Sequence, residues 1–179
     1  MGAFYAQKSS LMTSELIHQA KIFIIDDEEI NVRLLGRFLE TAGYKNVTAT
    51  TDPDHAIAMF SDDDPDLVLL DLHMPHPDGF EILQKMRELT PANAFLPIVV
   101  LTADCTPDAK RRALALGATD FLSKPFDDVE VLLRIESVLQ TRFLNLQWQN
   151  QKRLLEERVK ERTRVLEQRI AELTGAAVI

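Results

Sequence analysis

Asp26, Asp27, Asp71, Thr102 and Lys124 are the residues of this chain whose types and spacing could do chemistry together. Carboxylates gathered without partners repel and raise one another's pKa. A divalent cation relieves that strain, and carboxylate with water is the environment Mg²⁺ prefers. A lysine beside them adds a positive point charge suited to a phosphoryl oxygen, and a threonine hydroxyl adds a hydrogen-bond donor. Such a set is equipped to place a phosphoryl group on a carboxylate, chemistry that rests on positioning and charge neutralisation.

Those residues must be brought to one place by the elements before them. Residues 22–25, 67–70 and 98–101 are short, continuous apolar runs, the pattern of strands buried on both faces of a parallel sheet. Weaker strands fit 46–50 and 119–122. Between them lie helical segments near 30–42, 79–89 and 107–116. Asp52-Pro53 and Thr106-Pro107 each supply an N-cap followed by proline at the first helical position. Gly43 and Gly117 stand where helices should stop. Five βα repeats over about 120 residues predict a doubly wound α/β sheet. In such sheets the site lies outside the carboxyl ends of the strands, where the strand order switches. The acids, Thr102 and Lys124 all end or follow strands, on one rim.

Beyond Lys124-Pro125 the pattern changes. Asp127 can cap a helix, with Glu130 three residues on, and no proline or glycine occurs from Asp127 to Leu173. Val159, Thr163, Leu166, Ile170 and Leu173 alternate steps of four and three, a heptad seam. Upstream, Leu139, Phe143 and Leu146 fit one frame, but Asn150 and Arg153 then fall on it. The segment predicts an extended helix that pairs with a second copy of itself, the alternative being a solvated helix bridging to another domain.

Composition narrows the class. With 46% hydrophobic and 27% charged residues the chain has enough apolar material for a core. Of the net charge of −8, residues 150–179 carry seven Lys/Arg and five Glu, which leaves −10 on the rest. An acidic globular part disfavours direct nucleic-acid binding. No apolar run reaches the ~20 residues of a membrane span. The single cysteine, Cys105, rules out a disulfide framework and reads as an incidental thiol. Residues 1–20 read as a leader without the layout of a secretion signal. A cytoplasmic protein is expected.

The motifs "IIDDEEIN" (24–31), "LVLLDLHMPHPDGFEIL" (67–83), "PIVVLTA" (97–103) and "ALALGATDFLSKPF" (113–126) together resemble a response-regulator receiver domain of two-component signalling, over about residues 21–140. The resemblance implies a flavodoxin-like five-stranded parallel sheet of order 2-1-3-4-5. It implies that Asp71 takes a phosphoryl group from a histidine kinase or a phosphotransfer protein. It further implies Mg²⁺ held by Asp27, Asp71 and the backbone carbonyl of His73, with Asp26 acting through water. Lys124, before a cis Pro125, would pair with the phosphoryl oxygens. Thr102 would bond a phosphoryl oxygen and Phe121 would turn inward with it. Many receivers carry tyrosine at the Phe121 position, and phenylalanine cannot donate a hydrogen bond. The division expected is 1–20 leader, 21–140 receiver and 141–175 coiled-coil extension of the last helix, acting as a homodimer without membrane contact.

Other readings carry less. Asp62-Asp63-Asp64 reads as a solvated loop, and His73 with His76 lacks further ligands for zinc. A haloacid-dehalogenase-like phosphatase would need a second Asp two residues after the first, where His73 stands. "LLEERVKERTRVLEQRIAEL" also resembles linkers to HD-GYP phosphodiesterase or GGDEF cyclase domains. No HD, GYP or GGDEF motif occurs, so enzymatic activity beyond self-phosphorylation and autodephosphorylation at Asp71 would lie outside these residues.

Overall fold

The computed structural model describes residues 16–75, 77–104 and 106–176, with side chains to residue 172. The readings made for His76, Cys105, the leader up to residue 15 and the last residues of the chain lie outside these. Among these residues, after a helical turn at 16–18, five strands alternate with five longer helices: β1 (Lys21–Ile25), α1 (Glu29–Thr41), β2 (Asn46–Thr50), α2 (Pro53–Asp63), β3 (Leu67–Asp71), α3 (Gly79–Leu89), β4 (Ile98–Thr102), α4 (Pro107–Ala115), β5 (Asp120–Ser123) and α5 (Asp128–Ala176). The strands form one sheet of order β2-β1-β3-β4-β5, every neighbouring pair parallel. This is the doubly wound, flavodoxin-like sheet expected, with the long C-terminal helix after it.

The local signals act as their chemistry requires. Asp52 Oδ1 accepts from the Asp54 amide at 3.0 Å and Thr106 Oγ1 from the Ala109 amide at 3.4 Å, each with proline just inside the helix. At α3 Asp78 and Glu81 form a reciprocal capping box. Asp127 Oδ1 accepts from the Glu130 amide at 2.9 Å before α5. Gly43 and Gly117, at φ 91° and 99°, turn the chain after α1 and α4 in the left-handed region where a Cβ is disfavoured.

The continuous apolar runs are explained by burial on both faces. Ile22, Ile24, Leu67, Leu69, Val99 and Leu101 pack with Leu35 and Leu39 of α1 and Val131, Ile135 and Leu139 of α5. The alternate residues Phe23, Ile25, Val68, Leu70, Ile98 and Val100 pack with Phe60, Ile82, Leu83 and Met86 of α2 and α3, and with Ala113 of α4. Successive strand residues point to opposite faces, and each fully buried Ile or Leu contributes roughly 1.5–3 kcal/mol. β1, β3 and β4 are thereby pinned at their core ends, and their last residues are fixed at the rim. Ile17 and Ala20, at the end of the expected leader, are also buried in the first of these cores.

The chain divides into two compact units between Phe143 and Leu144. The second is helical to Ala176, and its side chains to Glu172 are nearly all exposed. No helix among the described residues is long and apolar enough to cross a membrane.

Candidate functional site at the carboxyl rim of the sheet

The chain runs from β1 outward to β2 on one side and to β3 on the other, so the order switches between β1 and β3. Asp26 and Asp27 directly follow β1, and Asp71 is the last residue of β3. Carboxylate oxygens of all three lie within 4.8 Å of one another. Asp26 and Asp71 are 0% and 1% exposed, a burial that unpaired acids do not tolerate.

Lys124, just after β5, supplies one countercharge. Its Nζ stands 2.8 Å from Asp71 Oδ2 and 2.9 Å from Asp26 Oδ2. Its own amide, ahead of the cis Lys124-Pro125 bond, donates to the Thr102 carbonyl at 2.9 Å. Burial alone would push its ammonium down, but the Asp71 and Asp26 carboxylates outweigh that and hold it above its usual value. Asp27 is raised, first by burial, then by the Asp71 charge, against the lowering effect of a backbone hydrogen bond. Three carboxylates against one ammonium leave two negative charges uncompensated. Asp26 Oδ2 is buried, and its contact with Lys124 is an ion pair without hydrogen-bond geometry. The donor set fits a hard divalent cation, with Asp26, Asp27 and Asp71 able to hold it.

The other expected residues are placed less uniformly. The backbone N–H of His73 donates to Asp71 Oδ1 at 3.2 Å, while its side chain is exposed. Thr102 is 2% exposed at the end of β4, but its hydroxyl is engaged in its own loop. It accepts from the Asp104 amide at 3.0 Å and donates to the Asp104 carbonyl at 3.2 Å. Phe121 is partly buried, with Lys110 Nζ 3.9 Å above its ring and the Arg134 guanidinium 5.9 Å away. Two cations thus face the ring where a phenol would offer a hydroxyl.

Two further residues shape the site. Asn31, within the quoted "IIDDEEIN", donates from Nδ2 to Asp26 Oδ1 at 3.0 Å and to Glu28 Oε2 at 2.7 Å, which orients the buried acid. Gly79 opens α3 against the end of β3, where a Cβ would sit 2.0 Å from the Asp71 carbonyl oxygen and 2.6 Å from Leu72 Cα. Asp78-Gly79 reads in sequence as a turn pair, a signal that says nothing of this approach.

The sequence profile of the response regulator receiver domain matches residues 22–136. The response regulator PleD of Caulobacter vibrioides is 42% identical over 124 residues, 69% of this chain and 26% of PleD. The alkaline phosphatase synthesis transcriptional regulatory protein PhoP of Bacillus subtilis is 38% identical over 120 residues, 67% of this chain and 48% of PhoP. This chain therefore spans about a quarter of one relative and about half of the other. Among solved structures, the chemotaxis protein CheY4 of Vibrio cholerae superposes with a TM-score of 0.59 at 33% identity, over 65% of this chain and 94% of CheY4. A two-component system response regulator/GGDEF domain protein gives 0.65 at 25% identity, over 72% of this chain and 52% of that one. With the profile covering most of the chain and the strand order and acidic rim in agreement, the protein belongs to the response regulator receiver domain family.

Proposed function

We propose that this receiver takes a phosphoryl group onto Asp71 from a phosphohistidine of a histidine kinase or phosphotransfer protein. The observation that carries the reading is the charge surplus: three acids at the switch point answered, among the described residues, by Lys124 alone. An Asp71 carboxylate oxygen attacks phosphorus, the N–P bond breaks, and its electron pair stays on the histidine nitrogen. Mg²⁺, when held by Asp27, Asp71 and the His73 carbonyl, with Asp26 acting through water, would supply positive charge for the transferring oxygens. Lys124 shifts its pairing from the Asp71 oxygen to a phosphoryl oxygen. The Thr102 hydroxyl leaves the Asp104 backbone to donate to another, and Phe121 follows it inward, away from Lys110 and Arg134.

Output in this reading passes through residues 141–175 as a coiled coil of two copies, with 21–140 as the receiver and 1–20 as a leader packed on it by its last residues. The protein acts in the cytoplasm without binding nucleic acid itself. A second reading makes the chain the regulatory front of a cyclic-di-GMP phosphodiesterase or diguanylate cyclase. It is favoured by the neighbour whose name carries a GGDEF domain.

The test is labelling from radioactive acetyl phosphate with Mg²⁺. Asp71→Asn keeps the size of the side chain but removes its nucleophilic oxyanion, so it is expected to take no label, while Asp62→Asn labels as the parent does. Wild-type labelling of Asp71→Asn overturns the assignment.

A further inference from the structure

The second unit repeats itself every eleven residues. "LLEERVKERTR" (154–164) and "VLEQRIAELTG" (165–175) share Leu, Glu, Arg, Glu and Thr at matching places, at 155/166, 156/167, 158/169, 161/172 and 163/174. The same step links Leu144 to Leu155 and Leu166, and Trp148 to Val159 and Ile170. These six residues are each between 57% and 72% exposed. They lie four and seven residues apart in turn, over roughly 40 Å of helix. A seven-residue frame meets Asn150 and Arg153 in this stretch, whereas the eleven-residue frame keeps an apolar residue at each of the six stripe positions, with the polar Gln151 and Arg162 beside it.

We infer that this stripe is the contact face of a parallel, in-register pair formed with a second copy of this chain, wound on an eleven-residue and not a seven-residue frame. The inference rests on the proposed helical dimer and specifies its geometry. Eleven residues in three turns is 3.67 per turn, the period of a right-handed supercoil. A second copy has that period by construction, so each of the six stripe residues meets its own counterpart, Leu on Leu at 144, 155 and 166 and Trp, Val and Ile on themselves at 148, 159 and 170.

Charge fixes the direction. Glu156 and Glu167 follow the stripe leucines by one residue, and Arg158 and Arg169 follow them by three. At about 98° per residue these flank the stripe on opposite sides, each roughly 80° from its centre. In a parallel pair the glutamate side of one helix faces the arginine side of the other. Glu156 then meets Arg158 of the partner subunit and Glu167 meets Arg169 of the partner subunit, each offset by about 3 Å along the axis. An antiparallel pair would set Glu against Glu and Arg against Arg. The intrahelical pair Arg153–Glu157, at 2.7 Å, falls on the far face and does not compete, while Lys152–Glu156, at 4.0 Å, is the looser contact that Arg158 of the partner subunit would displace.

The experiment is site-directed disulfide trapping in the full chain with Cys105→Ser, with and without Mg²⁺ and beryllofluoride, alongside sedimentation of the uncrosslinked protein. Leu155→Cys, Val159→Cys and Leu166→Cys are each expected to give cross-linked dimer, and Asn150→Cys and Arg153→Cys at least about fivefold less. Glu156→Arg with Glu167→Arg should weaken the dimer roughly tenfold, and adding Arg158→Glu with Arg169→Glu should restore it. Cross-links strongest at 150 and 153 overturn the frame while leaving the helical dimer standing. A monomer by sedimentation in both conditions overturns the inference and the dimer beneath it. Acetyl phosphate labelling of the same variants reports on Asp71 separately.

Discussion

β3 carries an acid at each end, and a cation from later in the chain meets each one. Asp66, just before the strand, accepts from the Lys21 amide at 3.2 Å and lies 3.5 Å from Arg142 Nε, whose guanidinium also donates to the Phe95 carbonyl at 2.6 Å. Asp71, at the other end, meets Lys124 at 2.8 Å. Both cations are largely buried, at 12% and 17% side-chain exposure, so burial of an ion pair does not separate the two ends. Balance does. At Asp66 one acid meets one cation, whose Nε is buried in an ion pair without a hydrogen bond, and the neighbouring backbone groups are used. At Asp71 three acids share one cation. The first arrangement is a tie between α5 and the start of β3. The second holds charge that only a further ligand can neutralise.

The largest effect that would sharpen this contrast comes from crowding the Asp71 end. Gly79→Ala places a carbon where the Asp71 carbonyl oxygen already is, so either the α3 start or the β3 end must move. A loss of roughly 3 kcal/mol in urea unfolding is expected, with impaired phosphoryl uptake in the molecules that remain folded. A fully active Gly79→Ala protein of unchanged stability would mean that the approach is not constraining.

Next is the Asp66 end. Arg142→Ala leaves a half-buried carboxylate without its countercharge and the Phe95 carbonyl without its donor, and should cost about 2 kcal/mol. Labelling per folded molecule should stay at the parent level. If labelling falls with stability intact, the two ends are not separable and the contrast fails.

The smallest effect concerns the surplus charge itself. The folded state holds the Asp27 proton more tightly than the unfolded chain does. This group therefore lowers stability as pH rises from the ordinary carboxylate value through its raised one. Asp27→Asn, measured without divalent cation, should flatten that part of the stability–pH curve and give a slightly higher urea midpoint at neutral pH. Added Mg²⁺ should reverse the ranking by stabilising the parent alone. An Asp27→Asn protein less stable than the parent in both conditions would remove the idea of a surplus.

The strands and most helix limits were legible because each rests on local chemistry. The runs at 67–70 and 98–101 became β3 and β4, each one residue longer at its polar end, and the segment 79–89 is α3 itself. The caps at Asp52, Thr106 and Asp127 and the stops at Gly43 and Gly117 depend on a few neighbouring residues. The convergence of Asp26, Asp27, Asp71 and Lys124 was legible at one remove, because a parallel sheet brings its strand ends to one rim. Three features were not. The Arg142 tie joins residues 47 apart in the chain at Phe95 and more at Asp66. The Gly79 approach depends on how α3 packs on the end of β3, and the Thr102 hydroxyl chooses between its own loop and the site. No periodicity or propensity encodes those choices.

The central claim is that the Asp71 end of β3, and not the Asp66 end, has charge to spare for a cation. Backbone amide NMR of the full chain during a Mg²⁺ titration tests it directly. Saturable shifts should gather at residues 26, 27, 71–73 and 124, leave Lys21, Asp66 and Phe95 unmoved, and disappear in Asp71→Asn. Shifts centred on Asp66, or none at the rim at millimolar Mg²⁺, would contradict the account.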